Sequence, residues 1–409
     1  MRRRLSLVIT AIMTLSLLFT SIIPLAATSD NANIPVRKIV VFQEQVSQAA
    51  QDAILAKAGA GKIKSLPLSG AAVVMATPAA EKALSKFAEV LYIEDDVIAT
   101  IMVKPEKPGK PGGEDPPTPL AQITPWGIDR IDASLAWNTS TGSGVKVAVL
   151  DTGIDLTHPD LNVAGSYNAI NSRKSANDDN GHGTHVAGTI GANNNDFGVV
   201  GVAPGVTLYA VKVLDRSGSG WVSDIIEGIE WCMVNDIQVI NMSLGSASES
   251  TIFHKTVTDA YEAGIIIVAA AGNDGDGLNQ PEYPAAWPEV IAVSATDKSD
   301  GLAYFSTFGS QIELAAPGFA IESTYKGGGY ATMYGTSMAT PHVTGVVALV
   351  IASATVTDTA DDDDSTINNE VRSKLQSTAD DLTDDNQDKD VYFGYGLVDA
   401  EEAVTGTGP

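Results

Sequence analysis

Three separated segments of this sequence carry an aspartate, a histidine and a serine that together could form an activated nucleophile. Asp151 lies in DTGIDLTHPDL, His185 in NGHGTHVAGT and Ser337 in GTSMATPHVTGVVALV. A serine hydroxyl is a poor nucleophile at neutral pH unless a base takes its proton. An imidazole can be that base, and a carboxylate beside it orients the ring and stabilises its charged form. The order Asp, His, Ser is one of three known for such triads, and it predicts a hydrolase.

Each of these residues also has an ordinary structural interpretation. Asp151 ends the apolar run VKVAVLD, where an aspartate is often a turn residue. Ser337 precedes an apolar helix and could be its N-cap. His185 could be a packed histidine, and we take it as the base in preference to its neighbour His182.

Asn273 is a candidate for a fourth chemical role. It follows the apolar run IIIVAAAG, and asparagine is common in turns after strands. Its side-chain amide could also donate a hydrogen bond to the oxyanion of a tetrahedral intermediate, together with the backbone N–H of Ser337. Such a donor lowers the barrier by about 3 to 4 kcal/mol.

From about residue 126 onwards, apolar runs such as VKVAVLD, TLYAVKVLD and VINMSLG alternate with amphipathic stretches. Apolar strands separated by helices predict a parallel sheet that is covered on both faces. Reactive groups of such folds gather at the carboxyl ends of the strands. Asp151, Leu244 and Asn273 are predicted to lie at such ends.

The first 120 residues are predicted to contain three segments. Residues 1–27 combine arginines, an apolar run and small residues, which is the pattern of a secretory signal. An uncleaved membrane anchor is the alternative, and a twin-arginine signal remains open. Residues 34–103 alternate β-rich and helical stretches and predict a small α+β unit. Residues 104–120 are rich in Pro and Gly and predict an exposed linker.

Charge and cysteine content limit the possible partners and the means of stabilisation. Residues 121–409 contain 12 Lys and Arg against 39 Asp and Glu, a net charge of −27. Such acidity argues against a nucleic-acid partner and fits an exported protein. Cys232 is the single cysteine, so no intrachain disulfide can form, and bound cations are the expected substitute.

The four motif blocks, in this order, resemble those of the subtilase family of subtilisin-like serine peptidases. The resemblance extends from Ala121 to about Val404. It implies a three-layer α/β/α fold around a mostly parallel sheet in a peptidase domain at residues 121–409. The implied catalytic residues are Asp151, His185, Ser337 and Asn273.

The resemblance also implies a channel in which a substrate strand pairs with two edges of the enzyme. Backbone pairing makes binding largely independent of sequence, so specificity depends on side-chain pockets. The pocket floor is implied to be Glu282, which would favour Lys, Arg or a long polar side chain; an exposed loop glutamate is the alternative. The implied substrate-binding residues are Gly218, Ser219, Gly220, Ser243, Leu244, Gly245, Ala270, Gly272 and Glu282.

The segment NNNDFGV, residues 193–199, resembles the family's high-affinity calcium loop. Calcium prefers six or more hard oxygen ligands, and the resemblance implies that three separated segments supply them. An unliganded polar turn is the alternative. The implied ligands are Gln122, Asp160, Asn193, Asn195, Phe197 and Val199.

Residues 34–103 resemble the inhibitory propeptide of the same family, which is a small ferredoxin-like α+β unit. By that resemblance they assist folding of the protease and then block its cleft. The sequence AQITPWG after the linker resembles the start of a mature subtilisin. The maturation cut is therefore expected near residue 103 or near residue 120.

The resulting hypothesis is a secreted, monomeric serine endopeptidase with a structural calcium ion, made as a self-processing precursor. It would hydrolyse peptide bonds of proteins through an acyl-enzyme. An α/β-hydrolase esterase is disfavoured because the serine context is GTSMA rather than GxSxG and the acid precedes the nucleophile. An inactive protease-like scaffold is disfavoured because no catalytic position is substituted.

Overall fold

The computed structural model describes residues 34–103, 121–275, 280–358, 366–383 and 389–406. The predicted signal segment and the predicted linker lie outside the described residues. We call residues 34–103 the N-terminal unit and the described residues from 121 onwards the C-terminal unit.

The N-terminal unit is built on a four-stranded antiparallel sheet. Its elements are β1 (Val36–Phe42), α1 (Gln48–Ala58), β2 (Gly61–Leu66), β3 (Ala71–Ala76), α2 (Pro78–Leu84), β4 (Val90–Asp95) and β5 (Ile98–Ile101). The sheet order is β2, β3, β1, β4, so the predicted ferredoxin-like arrangement is confirmed. Ser47 and Thr77 cap the two helices through their side-chain oxygens. Phe42, Leu55 and Leu84 are buried in the core.

Parallel strands dominate the C-terminal unit. Its strands are β6 (Lys146–Asp151), β7 (Val163–Asn168), β8 (Thr207–Lys212), β9 (Ser219–Trp221), β10 (Val239–Met242), β11 (Leu244–Gly245), β12 (Ile266–Ala270), β13 (Val290–Thr296), β14 (Leu314–Pro317), β15 (Ile321–Tyr325) and β16 (Gly329–Met333). Seven of them form one parallel sheet in the order β14, β13, β12, β10, β6, β8, β7. The mostly parallel sheet predicted from the sequence is therefore confirmed.

Helices cover both faces of this sheet. They are α3 (Trp126–Arg130), α4 (Ala133–Ala136), α5 (His182–Gly191), α6 (Val222–Val234), α7 (Thr251–Glu262), α8 (Thr336–Ser353), α9 (Asn368–Ser377) and α10 (Ala400–Thr405). Val147 and Val149 of β6 share a core with α5 and α8, whereas Ala148 and Leu150 share the opposite core with α6 and α7. Successive strand side chains point to opposite faces, so the sheet is buried on both sides and the three-layer fold is confirmed.

Helix α8 carries the predicted nucleophile and lies deep in the fold. It packs against β10, β12, β13 and β14, and its residues from Thr336 to Val350 are buried. Among the described helices, α8 is the one with the length and hydropathy to cross a membrane, but here it is a core helix.

A three-stranded antiparallel sheet joins the two units. Strand β5 lies between β9 and β11. Thr100 pairs with Ser219 on one side and with Gly245 on the other. The last strand of the N-terminal unit therefore enters the C-terminal unit close to the carboxyl end of β10.

Candidate active site

A buried aspartate and a buried histidine form a direct pair at the carboxyl edge of the sheet. Asp151 ends β6, and His182 is the first residue of α5. The Nδ1 atom of His182 lies 2.8 Å from Oδ1 and 2.9 Å from Oδ2 of Asp151. The Nε2 atom of His182 is buried and has no hydrogen-bond partner. The ring is thus oriented by a carboxylate on one side and has a free basic nitrogen on the other.

His185 is buried against β15 and β16, and the prediction that it is the base is wrong. Its Nε2 atom lies 3.0 Å from the carbonyl oxygen of Ile321 and 3.1 Å from that of Ala331. It has no exposed surface, and burial lowers the pKa of its imidazole to about 3. The reason is its position in α5: the first residue meets the sheet edge, whereas the fourth packs against the hairpin of β15 and β16.

Asp178 organises the loop that presents His182, and sequence reasoning missed it. Its Oδ1 atom accepts hydrogen bonds from Thr152 Oγ1 and from Gly181 N, both at 2.9 Å. Its Oδ2 atom accepts one from Thr184 N at 3.0 Å. Thr152 in turn donates its backbone N–H to Asp151 at 2.6 Å. One buried carboxylate therefore ties the start of α5 to the neighbour of Asp151. An aspartate three residues before a glycine N-cap was the available signal.

Ser337 lies in the first turn of α8, as predicted, and its hydroxyl lies against Ser243, a predicted channel residue. Its Oγ atom donates to the carbonyl oxygen of Ser243 at 2.9 Å, and Ser243 Oγ donates back to the Ser337 carbonyl at 2.9 Å. The backbone N–H of Ser337 points at the carbonyl oxygen of Met102, 3.3 Å away. A peptide carbonyl from the N-terminal unit is therefore held against the candidate nucleophile.

Asn273 directs a second donor to the same place. Its Oδ1 atom accepts from the backbone N–H of Thr336 at 3.0 Å, which fixes the amide orientation. Its Nδ2 atom is buried and has no hydrogen-bond partner. A Cβ placed on Gly335 would lie 3.2 Å from Nδ2 and would collide with the Met102 carbonyl oxygen. The amide, the Ser337 N–H and this carbonyl thus converge, and only glycine leaves room for them.

The two predicted channel edges lie on either side of β5. Ile101 donates its N–H to the carbonyl oxygen of Gly218 at 3.0 Å, and Met102 donates to that of Ser243 at 3.4 Å. The strand that contains Ser219 and Gly220 and the strand formed by Leu244 and Gly245 pair with β5 in antiparallel register. The segment that ends at Met102 therefore occupies the channel in the manner of an added strand.

Glu282 lies beside the side chain of Met102, the residue that follows β5. A Cβ placed on Gly245 would collide with Met102 Cε, and it would lie 3.1 Å from both Cβ and Oε2 of Glu282. A Cβ on Gly272 would lie 3.6 Å from Glu282 Cγ, and Ala270 is buried at the end of β12. Burial raises the pKa of Glu282 to about 6, and the nearby carboxylate of Asp274 adds to the increase.

The six predicted calcium ligands lie in one group of loops. Asp160 is fully buried, and burial raises the pKa of its carboxyl. Its Oδ1 atom accepts from Asn195 Nδ2 at 2.7 Å, and its Oδ2 atom accepts from Val199 N at 3.0 Å. Gln122 Nε2 lies 2.7 Å from the carbonyl oxygen of Asn193, and Phe197 N donates to Asn195 Oδ1 at 2.9 Å.

This loop group is rich in carbonyl and amide oxygens but contains few carboxylates. Among the described residues, no group of three or more His, Cys, Asp or Glu side chains is arranged to hold a metal ion. A cation at this place would therefore depend on backbone and amide oxygens together with Asp160.

Comparisons with known proteins identify relatives of this architecture. A family model described as the subtilase family, Peptidase_S8, matches residues 142–396. M-protease of Shouchella clausii is 53% identical over 233 residues, which is 57% of this chain and 60% of that protein. Subtilisin Savinase of Lederbergia lenta is 53% identical over 230 residues, which is 56% of this chain and 84% of that protein.

A longer alignment exists at lower identity. Minor extracellular protease Epr of Bacillus subtilis is 41% identical over 339 residues, which is 82% of this chain and 50% of that protein. The chain thus spans less than two thirds of M-protease and half of Epr.

Proposed function

Because the chain belongs to the subtilase family, we propose that it is a secreted, monomeric serine endopeptidase that cleaves proteins through an acyl-enzyme intermediate. The observation that carries this proposal is the Met102 carbonyl, which lies against the Ser337 N–H and in the space reached by the unpaired amide of Asn273. A peptide carbonyl is held where a nucleophile and two donors converge. The relatives are named as proteases, which supports the same activity.

In the proposed mechanism, His182 is the base and Asp151 orients it. Ser337 Oγ attacks the substrate carbonyl while Nε2 of His182 takes its proton, and Asp151 stabilises the resulting imidazolium through Nδ1. For this step the Ser337 hydroxyl turns away from the Ser243 carbonyl towards Nε2. The imidazolium then gives its proton to the leaving amine, and water hydrolyses the acyl-enzyme by the same route.

The negative charge that develops on the carbonyl oxygen is stabilised by fixed donors. Ser337 N–H and Asn273 Nδ2 are oriented before the reaction, the latter because Thr336 holds the amide by its oxygen. Donors that need no reorganisation in a buried site contribute about 3 to 4 kcal/mol each to lowering such a barrier.

The N-terminal unit is proposed to be the inhibitory propeptide and folding chaperone. Its last strand fills the channel, and the bond between Met102 and Val103 follows the carbonyl that faces Ser337. We therefore propose this bond as the first self-processing cut. Residues 103–120 would be removed in a later step.

The contacts between the two units support the chaperone role. Glu94 accepts from the N–H of Thr251 at the start of α7, at 3.1 Å, and Asp96 accepts from the N–H of Ser223 in the first turn of α6, at 2.9 Å. Carboxylates at helix N-termini accept hydrogen bonds from backbone N–H groups that have no partner within the helix. Their negative charge also interacts favourably with the helix dipole. The unit therefore stabilises two helices of the C-terminal unit at the ends where each begins.

Ion pairs complement the acidic surface of α6. Lys64 Nζ lies 2.5 Å from Asp224 Oδ1 and 2.5 Å from Glu227 Oε2. Arg37 also contacts Asp224, at 3.3 Å. Positive charge on the N-terminal unit thus matches negative charge on its neighbour.

A calcium ion is proposed as a structural cofactor in the loop group of Asp160. The donor set fits a hard cation because one carboxylate lies among several carbonyl and amide oxygens. The side-chain amides of Gln122 and Asn195 can turn to present oxygen instead of nitrogen. Gln122, Asp160, Asn193, Asn195, Phe197 and Val199 would hold the ion, which would stabilise the loop.

The activity is tested with casein on purified wild-type protein and on one matched variant. Wild type should hydrolyse casein and react with a fluorophosphonate probe, because its serine is activated by His182. The matched variant Ser337→Ala should do neither and should accumulate as the full precursor. Wild-type protein that is folded but stays unlabelled would contradict the proposal and favour an inactive scaffold. Processing of Ser337→Ala at the normal rate would show that another protease makes the cut.

A further inference from the structure

A series of buried hydrogen bonds runs from the middle of helix α8 to the carbonyl oxygen of the candidate nucleophile. We propose that Thr344 and Asn241 are positioning residues for Ser337, because together they orient the hydroxyl group that holds the Ser337 carbonyl. That hydroxyl belongs to Ser243. The inference rests on the proposed endopeptidase function and adds residues beyond the triad and the oxyanion donors. All four residues are 0% exposed, and we call their hydrogen bonds the buried network.

The network compensates for a hydrogen bond that the sequence of α8 removes. In an α-helix each carbonyl oxygen accepts from the N–H four residues later. The residue four positions after Ser337 is Pro341, which lies inside α8. Proline has no N–H, and its ring crowds that same carbonyl. The Ser337 carbonyl therefore lacks its helical donor, and Ser243 Oγ supplies one from outside the helix at 2.9 Å.

The direction of each hydrogen bond in the network follows from that carbonyl. A carbonyl oxygen only accepts, so the single proton of the Ser243 hydroxyl is directed at Ser337. Ser243 Oγ then accepts from Asn241 Nδ2, which lies 2.9 Å away. The amide oxygen of Asn241 consequently faces Thr344, whose Oγ1 donates to it at 2.9 Å. Thr344 Oγ1 lies farther, at 3.1 Å, from the Thr340 carbonyl within α8. The hydroxyl of Thr344 thus fixes which way the Asn241 amide points.

Asn241 is a polar residue in an otherwise apolar strand. The other residues of β10, Val239, Ile240 and Met242, belong to the two hydrophobic cores that enclose the sheet. An amide buried in such surroundings destabilises the fold unless its donor and acceptor are both paired. Packing alone would be satisfied by an apolar side chain at this position. The amide instead connects α8 to the residue that carries the nucleophile.

Through this network Ser243 holds the nucleophile at two points. Its hydroxyl donates to the Ser337 carbonyl, and its own carbonyl oxygen accepts from the Ser337 hydroxyl at 2.9 Å. Without Thr344 the Asn241 amide loses the partner of its oxygen and is free to rotate, so the Ser243 hydroxyl is no longer held towards Ser337. Small displacements of a reacting group lower rates by up to about a hundredfold. The loss should therefore appear in the chemical step and not in substrate binding.

The test uses processed enzyme, a chromogenic peptide and three variants of the network. Thr344→Val keeps the shape but removes the hydroxyl, and it should lower kcat by about tenfold with KM nearly unchanged. Asn241→Ala should lower kcat at least as far, because it removes the donor to Ser243. Thr344→Ser keeps the hydroxyl and should restore most of the activity. The rate of fluorophosphonate labelling should follow kcat, because the probe reports on Ser337 without a peptide substrate.

Thr189→Val is the matched control for the loss of a buried threonine hydroxyl. Thr189 lies in α5, is 3% exposed and donates to the carbonyl of His185, four residues earlier. This hydroxyl makes a helix contact of the same kind as that between Thr344 and Thr340, but it is not hydrogen-bonded to the network. Thr189→Val should keep kcat and KM close to wild type. An equal fall of kcat in Thr189→Val and Thr344→Val would overturn the inference.

A double-variant cycle separates positioning from a general loss of stability. Ser243→Ala removes the donor to the Ser337 carbonyl, so Thr344→Val should not lower kcat further in that background. Independent effects that multiply in the double variant, or an unchanged kcat in Thr344→Val, would overturn the inference. If circular dichroism shows that Thr344→Val does not fold, Thr344→Ala replaces it with the same expected result. Failure of wild type to cleave any peptide would instead refute the proposed endopeptidase function.

Discussion

The first turn of α5 carries two histidines in environments that differ in nearly every respect. His182 has a carboxylate at Nδ1 and an unpaired Nε2. His185, three residues later, has Nε2 between two backbone carbonyls and an unpaired Nδ1. Both rings are fully buried in the precursor, so exposure does not distinguish them.

The difference shows that the position of a histidine along α5 determines whether its ring can pair with Asp151. Parallel strands collect reactive groups at their carboxyl edge, and the first residue of α5 is the one that reaches this edge. The N-cap, Gly181, has a φ of 117° and leaves no room for a side chain, because a Cβ there would collide with Tyr325. The sharp turn into α5 therefore points His182 at Asp151 and carries His185 past it into the hairpin.

The largest test of this comparison is the removal of each imidazole. His182→Ala should lower the rate of self-processing by about a million-fold, which is the size of the loss known for the catalytic histidine of subtilisin, a member of the same family. His185→Gln should keep the nucleophile reactive, because that ring contacts neither Asp151 nor Ser337. The rates are measured as conversion of full precursor, followed by gel and by fluorophosphonate labelling.

The opposite outcome would restore the assignment made from the sequence. If His185→Gln abolished labelling in a protein with wild-type circular dichroism and His182→Ala did not, the pair of Asp151 and His182 would not be the catalytic one. Loss of folded protein in His185→Gln is distinguished by the circular dichroism, and His185→Asn then provides a smaller amide at the same place.

The second test concerns the side-chain amide of Asn273, the proposed hydrogen-bond donor to the oxyanion. Asn273→Ala should lower kcat by about 10²- to 10³-fold with little change in KM, since the amide is aimed at charge that develops only during reaction; subtilisin is the source of this general magnitude. Steady-state kinetics on a chromogenic peptide separate the two constants. A raised KM with unchanged kcat would mean that Asn273 binds the substrate in its ground state.

The third test separates Asp178 from its neighbour Asp179. Asp178 is buried and joins the start of α5 to Thr152, whereas the Asp179 carboxylate is half exposed and pairs with Lys212. Asp178→Asn should lower kcat by about tenfold to a hundredfold, because small displacements of His182 have large effects on the proton transfer. Asp179→Asn is the matched control and should stay within twofold. Equal effects of both variants on kcat would remove the positioning role.

The alternation of apolar and amphipathic segments predicted the fold, but it did not predict which of two neighbouring histidines is placed beside Asp151. Alternating apolar strands and helices predicted the three-layer sheet, and this was confirmed. The same patterns could not separate His182 from His185, because the helix boundary depends on Gly181 and on the hairpin of β15 and β16, which is distant in sequence. Asp178 was missed for the same reason, since its partner Thr152 lies 26 residues away in the sequence. The placement of Ser337 and Asn273 agrees with expectation. Ser337 lies in the first turn of the apolar helix α8, and Asn273 lies just after the apolar strand β12.

The smallest expected effect concerns the contribution of the His185 ring to the free energy of unfolding. The folded-state pKa of His185 is lowered to about 3 by burial, from an ordinary value of 6.5. Below pH 6.5 the unfolded chain therefore binds a proton that the folded chain does not, so the stability contributed by neutral His185 is complete above this pH and is lost as the pH falls towards 3. His185→Gln cannot take up that proton. Denaturant unfolding of the Ser337→Ala precursor, with and without His185→Gln, should thus show a smaller loss of unfolding free energy between pH 7 and pH 4.5 in the double variant. An equal loss in both would mean that burial does not keep His185 neutral in the folded chain.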